Sequence, residues 1–189
     1  MQAIEAILSR QSARAVTLKE PVPEGQDLAE ILQAGMTAPD HGALRPWRFK
    51  IIEGDARQRL GDVFAEALIL REPNSDKAAL ESIRSKPLRS PLIVAVCAEI
   101  TEDHPKVPPV EQVVAAACAA QNVITAAHAK GYGAIMLSGW PAYDEHVKSS
   151  LGLSRKDAIV TFIYMGTPDG TGPVKDRPSH EAFTSVWTG

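Results

Sequence analysis

The segment Pro91 to Ala98 limits this chain more than any other stretch, because Leu92-Ile93-Val94-Ala95-Val96-Cys97 is almost continuously apolar. A strand with one face in water alternates apolar and polar residues, so an unbroken run predicts a central strand buried on both faces. Both faces then need cover. The chain has 189 residues, 44% apolar and 23% charged, which is ordinary globular composition and suits a single domain burying roughly 70% of its unfolded surface.

Helices are the available cover. Val110 to Lys130 carries Val113, Ala117, Ala120, Ile124 and Ala127 at spacings of three and four, which predicts the longest helix. Its many alanines let another helix approach closely, as a core or subunit-contact helix requires. Gly131 follows at the position where a helix stops. Further helices are expected at Ile4 to Leu8, Asp27 to Thr37, Ala56 to Leu70, Ser75 to Ser85 and Tyr143 to Leu151. Strands are expected at Trp47 to Ile52, Ala134 to Leu137 and Ala158 to Gly166. Pro21 and Pro23 force an extended stretch, Pro39-Asp40-His41-Gly42 is a turn, and His104 to Pro109 is a loop. The last 23 residues, rich in glycine and proline, read as an extended arm. One α+β domain is the outcome.

Several function classes drop out. Lys and Arg number 20 against 23 Asp and Glu, a net charge of −3, so no basic field exists to hold nucleic acid. Cys97 and Cys118 lie in apolar surroundings without a CxxC pair, which predicts buried free thiols in a reducing compartment. The opening Met-Gln-Ala-Ile-Glu lacks a basic n-region, and no apolar run approaches the ~20 residues of a membrane span. A cytoplasmic protein with no membrane partner is expected. The five histidines, at 41, 104, 128, 146 and 180, form no metal-ligand spacing, and no metal is expected.

Four constellations remain. Arg10-Gln11-Ser12-Ala13-Arg14 sets two guanidiniums around a hydroxyl, a pattern suited to phosphate, or equally a solvated helix end. Ala38 to Trp47 is a stiff loop holding Asp40, His41 and Arg45. Adjacent Asp and His rarely orient each other, so a catalytic dyad is disfavoured, and Trp47 belongs to the core. In Gly131 to Trp140 the glycines make a tight helix-to-strand turn. This is no Rossmann fingerprint, because no strand precedes it, and no nucleophile elbow, because Met136 stands where glycine is required. A hydrolase using Ser138 with His41 or His128 is therefore poorly supported, and the segment instead offers backbone groups to a ring-shaped ligand. Finally, Lys175 and Arg177 are two residues apart on an extended tail, where their side chains share a side: a phosphate clamp or a solvated end.

Taken together these pieces resemble the nitroreductase family of FMN-dependent oxidoreductases, and most of all its compact branch of NAD(P)H nitroreductases. The resemblance is carried by Arg10-x-Ser12-x-Arg14, by Ile31 to His41 leading into Pro46-Trp47-Arg48-Phe49, by the Ala-rich helix ending Gly131-Tyr132-Gly133, and by Gly166-Thr167-Pro168. It implies an α+β sandwich with a mostly antiparallel central sheet flanked by helices, built as an intertwined homodimer with FMN at the interface. It further implies that Arg10, Gln11 and Ser12 hold the phosphate and ribityl chain and that Arg14 lies near flavin N1. Thr37 and His41 would reach FMN from the partner subunit, Met136, Leu137 and Ser138 would line the ring, and Lys175 and Arg177 would close on the phosphate. NADPH or NADH would reduce the flavin, which passes hydride by ping-pong turnover to a small nitroaromatic, quinone or similar acceptor, with no protein nucleophile. Two departures stand out: Ala43 and Arg45 replace an Asn and a Gln common before Pro-Trp, and Leu137 replaces an Arg frequent in the compact branch. The alternative they raise is a flavin-binding protein of the same fold that does not turn over.

Overall fold

The computed structural model describes residues 2–170, 172 and 175–189; Met1, Thr171, Pro173 and Val174 lie outside them. Five strands form one sheet: β1 (Leu18–Lys19), β2 (Trp47–Glu53), β3 (Leu92–Ala98), β4 (Gly133–Leu137) and β5 (Ala158–Pro168). Their order is β1-β5-β3-β2, with β4 also paired to β5, and every pairing is antiparallel. All seven residues of β3 are buried, as an unbroken apolar run between two strands must be.

Among the described residues the α-helices are α1 (Ala3–Ser9), α2 (Gly25–Gly35), α3 (Asp55–Arg71), α4 (Lys77–Arg84), α5 (Pro109–Ala129) and α6 (Glu145–Ser150). The period-2 alternation of β3 decides which helix meets which face. Leu92, Val94 and Val96 pack with Ile31 of α2 and with Ala120, Val123, Ile124 and Ala127 of α5. Ile93, Ala95 and Cys97 pack with Leu60, Phe64 and Leu68 of α3 and Val147 of α6. Phe64 and Phe162 of β5 meet edge to face at 5.6 Å and 71°, the geometry favoured by aromatic quadrupoles. Helices thus cover both faces of an antiparallel sheet.

The expected elements are present with shifted ends. The second helix begins at Gly25 and stops at Gly35, two residues before Thr37. The segment expected to be helical from Tyr143 divides into a 3-10 turn, Trp140–Tyr143, and α6, because Asp144 accepts from the amides of His146 and Val147 and starts a new helix there. The two-residue β1 has too little periodicity to be read from sequence. Cys97 is buried as expected, but Cys118 is only half-buried, since α5 turns that position away from the sheet. Helix α5 is also long and apolar enough to cross a membrane, contrary to the expectation that no stretch is; here its small side chains face the sheet and α2.

Two glycines place the parts that matter below. Gly131 has φ +91°, the left-handed conformation that terminates α5. At Gly133 a Cβ would lie 2.7 Å from Leu18 Cδ2 and 3.0 Å from Ala13 Cβ, so only glycine lets the segment around Ala13 lie against β4.

Candidate functional site

After α1 the chain runs extended from Arg10 to Arg14. The Ala13 amide donates to the Ala134 carbonyl at 3.1 Å, which fixes this segment beside β4. The tail returns to the same place: Arg177 Nη2 donates to the Arg10 carbonyl at 3.0 Å, and the Lys175 amide donates to Gln11 Oε1 at 3.3 Å. The last turn of α5 adds His128, whose Nε2 is 2.9 Å from Ser9 Oγ. The structure therefore brings together Arg10, Gln11, Lys175 and Arg177, with Ser12 half-buried between them and β4.

This cluster is electrostatically unbalanced. Burial and the neighbouring Arg177 both hold the Arg10 guanidinium below its ordinary pKa. Burial and Arg10 together push the His128 imidazole down. Among the described residues no carboxylate forms an ion pair with Arg10, Arg14, Lys175 or Arg177. Like charges held together without a counterion are costly unless an anion joins them. A phosphate of charge near −2 fits such a donor set.

His128 is the member that sequence reasoning missed. It lies 118 residues from Arg10, and only the packing of α1 against the end of α5 joins them.

The β4 end supplies Met136, Leu137 and Ser138, all half-buried. Their strand pairs on one side only, with β5, so its other edge offers backbone donors and acceptors. The register between β3 and β5 skips Val160, and Ser138 Oγ donates to the carbonyl of that bulged residue at 3.3 Å. Neither histidine considered for a hydrolase is its partner: His128 contacts Ser9, and His41 Nδ1 lies 2.6 Å from Glu111 Oε2. The Ser138 dyad is thereby overturned. Asp40 does not orient His41 either, because its carboxylate accepts from the Arg45 amide at 2.6 Å.

Thr37 and His41 sit elsewhere. Thr37 Oγ1 donates to the Ala34 carbonyl and accepts from Asn122 of α5. His41 is exposed beside Glu111 at the opposite end of α5 from His128. Glu111 and His128 are 17 residues apart, about 26 Å along the axis at 1.5 Å per residue. One copy of the chain does not bring His41 to the Arg10 cluster. The loop between them and β2 is held in unusual backbone conformations, with Gly42, Ala43 and Arg45 at φ +74°, +53° and +51°; such strain in non-glycine residues concentrates at functional sites. Among the described residues no group of His, Cys, Asp or Glu is arranged to hold a metal ion.

Comparison with known proteins places this architecture. The family model described as "Nitroreductase family" matches residues 7–167. The chain is 42% identical over 168 residues to "Putative NAD(P)H nitroreductase YdjA" of Escherichia coli (strain K12), covering 89% of each protein. The crystal structure of a nitroreductase-like family protein from Bacillus cereus superimposes with a TM-score of 0.83 at 23% identity, over 100% of this chain and 97% of that one. A nitroreductase with bound FMN from Bacteroides fragilis gives 0.73 at 21% identity, over the whole of both chains. From the Arg10 segment through α5 to the end of β5, then, the chain belongs to the nitroreductase family.

Proposed function

We propose that this protein is an NAD(P)H-dependent oxidoreductase that holds FMN between two copies of the chain and reduces a nitroaromatic, quinone or similar small acceptor by ping-pong turnover in the cytoplasm. The observation that carries the proposal is the meeting of Arg10, Lys175 and Arg177 around Gln11, with none of the three in an ion pair among the described residues. FMN, when bound, supplies the redox chemistry, accepting hydride from NAD(P)H and passing it to the acceptor.

The chain's own residues bind and orient. Arg10 and Arg177 present forked donors to the phosphate, and Lys175 adds a third charge on the same tail. Ser12 and Gln11 are assigned to the phosphate and the ribityl chain attached to it. Arg14 is assigned to the flavin N1 edge, where a positive charge favours added electron density. The edge of β4 not paired with β5, at Met136 to Ser138, is assigned to the ring. Thr37 and His41 are assigned to the partner's site, since His41 is too far along α5 to serve its own. No side chain is asked to act as nucleophile, and Ser138 is occupied by the Val160 carbonyl.

The test is direct. The purified protein is expected to be yellow, with flavin absorbance that bleaches on anaerobic mixing with NADPH or NADH and returns when a nitroaromatic or quinone is added. A colourless protein that ignores added FMN overturns the proposal, and a flavin that stays oxidised reduces it to a binding protein.

A further inference from the structure

Where the C-terminal end of α3 meets the 3-10 turn Trp140–Tyr143 and the start of α6 lies an open groove of about 670 Å³. None of its lining residues has a role in the reading above. Leu70 and Tyr143 stand 68% and 77% exposed along it, apolar and aromatic surface that the chain leaves in water. A space of this size accepts a ligand of nucleotide dimensions.

The polar groups of the groove fall into two sets. Its carboxylates are engaged: Asp144 accepts from the amides of His146 and Val147, and Glu145 pairs with Lys148 at 2.9 Å and Arg155 at 3.9 Å. His146 is held as well, its Nε2 2.9 Å from Glu66 Oε2. The remaining donors are not engaged. Among the described residues the Arg71 guanidinium, the Trp140 indole N–H and the Tyr143 hydroxyl have no hydrogen-bond partner in the protein. Arg71 Cζ lies 5.7 Å from the centre of the Trp140 ring, a cation–π contact that engages the guanidinium face and leaves its N–H edges open. The one ion pair of Arg71 among the described residues is with Glu72 at 3.6 Å, and both side chains are more than half exposed, so water screens it. Three open donors, one of them charged, beside an exposed phenol ring match a flat heterocycle that carries an anion.

The geometry points to a binding site for a nucleoside phosphate, with the base on Tyr143 and Leu70 and the phosphate at Arg71 and the Trp140 N–H. Two sources supply that chemistry. Trp140 follows Ser138 by two residues, about 7 Å of chain at most, so the groove opens close to the segment assigned to the flavin ring. The adenosine half of NAD(P)H is then one source, and this part of the inference rests on the FMN reading. A free nucleotide is the other, and the groove itself needs no flavin to take it.

Titration calorimetry on the full-length purified protein, with AMP and with adenosine, tests the site. AMP is expected to bind at least ~10-fold more tightly than adenosine, the worth of one charge-assisted hydrogen bond. Arg71→Gln should remove that preference while leaving adenosine binding unchanged, which also reports that the fold is intact. Tyr143→Ala should weaken both probes by about 5-fold or more, the loss of one stacked base. Arg177→Gln should change neither. Equal binding of AMP and adenosine, indifference of AMP to both groove variants, or loss of AMP binding in Arg177→Gln overturns the site. Steady-state kinetics with NADPH and with reduced nicotinamide mononucleotide, which lacks the adenosine half, separates the sources. If Arg71→Gln raises KM about 10-fold for NADPH alone, the groove holds the dinucleotide; if neither KM moves while AMP binding is lost, it holds a free nucleotide. An equal rise for both reductants places Arg71 at the nicotinamide end and overturns the site. Visible absorbance reads flavin separately: a colourless protein that binds AMP through Arg71 keeps the groove and overturns the FMN proposal, and a yellow protein that ignores AMP does the reverse.

Discussion

At Arg10 the physics of the candidate site reduces to one side chain. Its guanidinium is half-buried, faces another cation, and forms no ion pair among the described residues, so a phosphate bound there would relieve that repulsion. Arg10→Ala is expected to weaken FMN binding by roughly 10- to 100-fold, the range of a charge-assisted hydrogen bond. Lys175→Ala should cost less, because Lys175 is exposed and its observed tie to Gln11 is made by the backbone. Equal losses in an FMN titration would contradict this ordering. His128 gives a second prediction. Burial and Arg10 lower its pKa, so in the free protein it should titrate below its ordinary value of 6.5. The unfolded chain then binds the proton first, and the histidine's contribution to stability is lost as pH falls below about 6.5. A phosphate at Arg10 offsets the repulsion, so FMN should raise the His128 midpoint in an NMR titration; an unchanged midpoint would remove the anion from this cluster. Arg10, Lys175 and Arg177 stood out in the sequence by their short spacing, but the same spacing fits a solvated helix end or tail, and only the fold draws the two segments together. His128 did not stand out, because one histidine on a helix says nothing about a loop 118 residues away.

Helix α5 acts as a ruler at the scale of elements. Its start carries Glu111 and thereby His41, its middle carries Asn122 and thereby Thr37, and its end carries His128 beside Arg10. That helix and the wholly buried β3 were readable because each follows one strong period without interruption. The two residues of β1 and the skipped register at Val160 were not, since they depend on partner strands distant in sequence. Gly133 is where the elements meet most tightly. Gly133→Ala should push Leu18 and Ala13 away from β4 at a cost of about 2 kcal/mol, lowering Tm by roughly 4–8 °C for a chain of this size. FMN affinity should fall with it, because Ser12 is carried on the displaced segment. A variant that unfolds at the parent's temperature and binds FMN equally well would show that this contact is slack.

For the whole molecule, surface area argues for a second copy. The chain exposes 11086 Å², whereas a compact monomer of 20.3 kDa exposes about 8,800 Å². The excess is close to what an obligate interface covers. It is concentrated in apolar side chains that a solitary chain leaves in water: Ile4, Ile7 and Leu8 on α1, Val110 and Val114 on α5, and Phe183, Val186 and Trp187 on the tail, the last 89% exposed. Val110 and Val114 stand at the start of α5 on the His41 side, and α1 packs on α5 near its other end beside the Arg10 cluster, about 26 Å away along the axis. Two copies joined so that one copy's His41 met the other's Arg10, as the proposed shared site requires, would bury apolar residues at both places. Sedimentation velocity should therefore report roughly twice the chain mass at micromolar protein. Ending the chain after Arg177 keeps both phosphate cations but removes Phe183, Val186 and Trp187. It should shift the mass toward the monomer and reduce FMN retention together, with helical circular dichroism preserved. If the shortened chain remains a dimer, the tail does not bind the subunits; if it becomes a monomer that retains FMN, one subunit suffices and the shared site fails.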